Sequence, residues 1–73
     1  MENKEFITFE ITDIGIISIK LKNYGEIGDL VLNDKNHFWN FLPKENFIYK
    51  SIFLAIILNK LNELNNYKRK EDL

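Results

Sequence analysis

From Pro43 onward the chain reads as a helix whose first half is apolar on every side, and a helix of that kind must be covered on every side. At about 100° per residue, Phe47, Phe53, Leu54, Ile57, Leu58, Leu61 and Leu64 gather on one broad arc. Ile48, Tyr49, Ile52 and Ile56 fall opposite, and Asn59 and Glu63 continue that stripe with polar groups. Pro43 lacks an N–H that a helix start does not need, and Glu45 suits the positive end of the helix dipole. The helix is therefore expected to begin between Pro43 and Asn46 and to run to about Asn65.

What precedes it alternates with period two. Ile7, Phe9 and Ile11 share one face of a first strand, with Thr8, Glu10 and Thr12 on the other. Ile17, Ile19 and Leu21 do the same in a second strand, with Ser18, Lys20 and Lys22 outward. Between them Asp13-Ile14-Gly15 fits a three-residue hairpin loop in which Gly15 takes a positive φ, so the two strands are expected to pair antiparallel. A turn at Asn23 to Glu26 leads to a short third strand, Asp29 to Leu32, and Asn33 to Asn36 forms a further turn. The aromatic stretch His37 to Leu42 reads either as a fourth strand or as an irregular linker.

The predicted fold class is α+β, in the order β-β-β-(β)-α: a three- or four-stranded antiparallel meander packed against one C-terminal helix. Residues 1–67 form a single domain and 68–73 a charged tail. With 73 residues the chain buries roughly 60% of its unfolded surface, so its core is thin. It has no cysteine, which excludes disulfides and thiolate metal sites as staples and leaves oligomerisation or a bound partner as the usual support. A net charge of -1, with basic and acidic residues interspersed, argues against a dominant phosphate-binding surface. The longest apolar run, Ile52 to Leu58, has 7 residues, far short of the roughly 20 a membrane span needs. Met1 to Glu5 is mixed in charge and carries no secretory pattern, so a cytoplasmic location is expected.

Motifs for chemistry are absent. His37 is the lone histidine, Ser18 and Ser51 lack an activating signature, and Asp13, Glu26, Asp29 and Asp34 sit at or near turns that explain them. No catalytic residue, metal site or cofactor is expected. Phe38, Trp39 and Phe41 beside Lys35 and Lys44 could stack bases and hold phosphates, which makes single-stranded nucleic-acid binding the alternative function. Packing uses the same rings equally well.

The surplus apolar surface carries the functional expectation. If the sheet covers one side of the helix, Ile48, Ile52 and Ile56 need another cover, either the Phe38 to Leu42 segment of the same chain or a second surface. That surface would be another protein or a second copy of this one, with Trp39, Ile48, Tyr49, Ile52 and Ile56 as contact residues. In size, lack of motifs and Ile/Asn/Lys-rich composition, the chain resembles the small anti-defence proteins of phages and mobile elements, anti-CRISPR proteins among them. The resemblance implies a non-enzymatic inhibitor that sterically blocks a host defence protein such as a CRISPR nuclease. A structural homodimer is a further alternative.

Overall fold

The computed structural model describes residues 7–72, and their side chains as far as residue 66. Strands β1 (Ile7–Ile11), β2 (Ile17–Leu21), β3 (Gly25–Leu32) and β4 (Trp39–Pro43) precede one helix, α1 (Ser51–Asp72). The strands form a four-stranded antiparallel sheet in the order β1-β2-β3-β4, a meander with the helix on one face. This is the expected α+β class. The aromatic stretch is indeed a strand: Phe41 pairs with Leu30 and Trp39 with Leu32.

The first hairpin follows its sequence. The Thr12 N–H donates to the Ile16 carbonyl at 2.8 Å and the Gly15 N–H to the Thr12 carbonyl at 3.0 Å, with Gly15 at φ 86. The third strand is longer than expected because a bulge between Ile19 and Lys20 lets pairing continue back to Gly25. Ile19 pairs with Gly28 and Lys20 with Glu26, so Ile27 has no partner across β2 and turns fully into the core. Gly28 is then needed for space, since a Cβ there would meet the Leu42 carbonyl oxygen at 2.9 Å and the Phe41 ring at 3.0 Å.

The helix begins later and ends later than its signals suggest. Pro43 is spent as the last residue of edge strand β4, where its missing N–H costs nothing. Asn46 adopts φ 66, a left-handed conformation that interrupts helix propagation. Helical bonding starts where the Lys50 carbonyl accepts the N–H groups of Phe53 at 2.9 Å and Leu54 at 3.1 Å. It continues to Asp72, past the expected end near Asn65; the side chains of the expected 68–73 tail lie outside the described residues.

The buried core is Ile7, Ile17, Ile19, Ile27, Leu30, Phe53 and Ile57, with Leu61 and Leu64 packed against it. Three expectations are corrected here. Leu54 and Leu58 were assigned to the core arc and are instead 44% and 55% exposed, because the buried stripe is centred on Phe53 and Ile57, about half a residue step round from the predicted arc. Ile56, expected on the opposite side, is half-buried against the core. Ile11, on the same face of β1 as Ile7, is 79% exposed.

Candidate functional site

Between β4 and α1 the segment Phe47 to Lys50 is neither strand nor helix, yet it alternates like a strand: Phe47 and Tyr49 are half-buried, Ile48 and Lys50 exposed. Aromatic packing fixes this phase. Tyr49 stands edge-on to Phe41 at 5.5 Å and to Phe47 at 4.7 Å between centroids, and Phe47 stacks on Phe53 at 6.2 Å and meets Tyr24 at 5.1 Å. The Tyr49 hydroxyl donates to the carbonyl of Ile27 in the bulge and accepts the Lys44 N–H at 2.8 Å. With its neighbours turned in and tied down, Ile48 has one direction left, and it is 87% exposed.

The same outward surface continues onto α1. Ile52 is 51% exposed, and Leu54, Ala55 and Leu58 are exposed with it. Ile52 to Ala55 and Ala55 to Leu58 are i, i+3 neighbours and Leu54 to Leu58 is an i, i+4 pair, so the four side chains form one patch over the first two turns. Ser51 to Asn59 contains no charged residue. Beyond it the outward positions become polar, with Asn62, Glu63 and Asn66 exposed. Ile56 lies at the margin, beside Phe9 in a shallow groove of about 450 Å³ that Lys60 and Glu63 close with an ion pair at 3.4 Å.

Five contact residues were expected, and the fold separates them. Ile48 and Ile52 face outward, and Ile56 flanks them half-buried. Tyr49 and Trp39 are half-buried and spent on internal contacts. The Trp39 N–H donates to Asn65 Oδ1 at 2.8 Å, and Asn65 Nδ2 donates to the Trp39 carbonyl at 3.2 Å, so the helix clips the backbone of the edge strand. Leu54, Ala55 and Leu58 were missed as surface residues. The polar stripe pointed to one of them, since Ala55 stands one helical turn before Asn59.

The segment Phe38 to Leu42 does not fold over the outward side of the helix. It is committed to the sheet, with Trp39 and Phe41 directed towards the helix-facing core and Asn40 and Leu42 towards the other face. Two of the rings considered as a base-stacking platform are therefore turned into the protein. His37 sits in a turn at φ 62, its N–H bonded to the Asn33 carbonyl at 2.8 Å. Among the described residues no three histidine or carboxylate side chains converge on a common metal position, and no helix is long and apolar enough to cross a membrane. Comparison with family models, curated proteins and solved structures finds no match for this chain.

Proposed function

We propose that the chain is a non-enzymatic protein-binding module that works through the outward surface of the 48–58 segment, contacting another protein or a second copy of itself. The supporting observation is that Ile48 and Ile52 remain 87% and 51% exposed, with Leu54 and Leu58 exposed near Ile52 and no charged residue from Ser51 to Asn59; Lys50 is the one exposed charge between Ile48 and Ile52. Each large aliphatic side chain moved fully from water into contact contributes roughly 1.5–3 kcal/mol, so a partner covering several of them gains a substantial part of its affinity there.

The test compares the wild-type chain with Ile52→Lys and Leu58→Lys. Both positions are at least half exposed, so both variants should keep the wild-type far-UV spectrum and unfold within a few degrees of it. Solution mass by light scattering should show concentration-dependent association, or co-elution with a partner from a host lysate, that both variants lose. A monomeric mass at every concentration together with no retained partner would sink the reading. The finer form of the proposal is that the captured partner is a defence protein, such as a CRISPR nuclease, which the module blocks sterically. Co-expression with such an immune system should then raise the plating of a targeted phage, and Ile52→Lys should remove the protection.

A further inference from the structure

The other face of the sheet, away from α1, has a different chemistry. Register places Glu10, Ser18 and Asp29 side by side across β1, β2 and β3, with Lys20 and Glu26 paired in the neighbouring row. These residues line an open groove of about 370 Å³, with Thr12 and the aliphatic Ile14 and Ile16 at one end. Three carboxylates face one ammonium there, and that ammonium is taken: Lys20 Nζ lies 3.3 Å from Glu10 Oε1. Another cation, Lys44, is held over the Tyr24 ring at 5.4 Å and against the Glu26 backbone carbonyl at 3.4 Å. Glu26 and Asp29 interact with each other, and although Lys20 stands across from Glu26, neither carboxylate has an ion-pair contact among the described residues.

Ser18 gives the groove its floor. It is only 7% exposed, the one buried polar residue among those described, and its small side chain leaves a hollow between the longer Glu10 and Asp29. Its hydroxyl has no hydrogen-bond partner among the described residues, yet it is not sealed from solvent, so the oxygen opens into the hollow. A hydroxyl that opens into the groove from a largely buried residue, beside two carboxylates without an ion-pair partner and under an aliphatic rim, is matched by a flat, multi-donor cation. A guanidinium has that shape: its fork of N–H groups can serve two acceptors at once, and its faces tolerate aliphatic contact.

We infer that this groove receives an arginine side chain of a partner protein, with Glu26 and Asp29 holding the guanidinium and the Ser18 hydroxyl accepting one of its N–H groups. The inference stands independently of the apolar patch, because it concerns the opposite face of the sheet and a different chemistry.

The test titrates a capped tri-arginine peptide into the full chain and follows backbone amide resonances. The amides of Ser18, Glu26 and Asp29 should shift saturably while those of Ile52 to Leu58 stay still. Glu26→Gln/Asp29→Asn should weaken the peptide about fivefold or more, whereas Glu45→Gln/Glu63→Gln, which removes the same charge elsewhere, should leave it unchanged. Ser18→Val, which fills the hollow and keeps a strand-favouring residue, should weaken it too. The inference is overturned if the shifts spread over all acidic surfaces, if the two double variants behave alike, if tri-lysine binds as tightly as tri-arginine, or if Mg²⁺ displaces the peptide from the same amides.

Discussion

Replacing Tyr49 by Phe removes one oxygen and keeps the ring that Phe41 and Phe47 pack against. That oxygen has two partners of unequal standing. Lys44 is exposed, so water takes over its N–H. The Ile27 carbonyl belongs to a fully buried residue in a bulge, where the ladder of β2 offers it nothing. A net hydrogen bond is worth about 0.5–1.5 kcal/mol, and a buried acceptor left unpaired costs about 1–3 kcal/mol, so Tyr49→Phe should lose about 2 kcal/mol. At this size total stability is on the order of 4–11 kcal/mol, and the loss is a large fraction of it.

Urea unfolding followed by far-UV circular dichroism measures the change. The midpoint should fall with an unaltered slope, because the surface exposed on unfolding stays the same. The melting temperature should fall by about 8–16 °C. A loss below about 0.5 kcal/mol, the range of an ordinary surface substitution, would refute the claim that the phenol holds the 44–50 segment to the bulge. It would also remove the reason given for the outward direction of Ile48.

Asn65→Ala should cost about 1–2 kcal/mol by leaving both backbone groups of Trp39 without their partner, read in the same urea experiment. Asn65→Asp keeps the acceptor for the Trp39 N–H but sets a carboxylate against its carbonyl, so it should not restore stability. A second measurement concerns pH. Burial first, and then the neighbouring Glu26 through hydrogen bonding and charge, hold Asp29 above the usual aspartate range. Between the unfolded and the raised folded value the folded state binds more protons, so Asp29 makes stability fall as pH rises through that window. Glu10, Lys20 and Glu26 share the groove with it, and Lys44 reaches the Glu26 carbonyl. Asp29→Asn should flatten this part of the stability profile and stabilise the domain at neutral pH, and an unchanged profile would contradict the assignment.

The first hairpin was legible in the sequence because Phe9, Ile11, Ile19 and Leu21 alternate with Thr8, Glu10, Ser18 and Lys20, and Gly15 marks the loop, whereas the aromatic stretch left the fourth strand open. The bulge was not legible, since Ile27-Gly28 is a long-range choice: Ile27 enters the core because Gly28 leaves space for β4 and the Tyr49 hydroxyl. The helix start was misread for a similar reason. Pro43 and Glu45 are sound local signals, but pairing with β3 claims the first, and the aromatic contacts of Phe47 and Tyr49 override the second. The candidate surface was half legible. Excess apolar character in the 48–58 segment was visible, whereas which residues carry it depended on a small rotation of the helix that only packing decides.

A thin core does not by itself explain the outward patch. The fold needs Phe53, Ile57, Leu61 and Leu64 on the side facing the sheet, and nothing in the sheet calls for apolar groups at 52, 54 or 58. Helix propensity does not call for isoleucine at 52 either, because Lys, Glu and Gln are better helix formers than Ile and would solubilise the surface. Further along the helix the outward positions carry polar residues, Asn62, Glu63 and Asn66, so the chain can place polar groups on that side. Nor is the patch an accident of a disordered linker, since Ile48 is turned out by the inward anchoring of both its neighbours. An exposed apolar surface that neither the core nor the helix requires is what supports the proposal of a contact surface at 48–58.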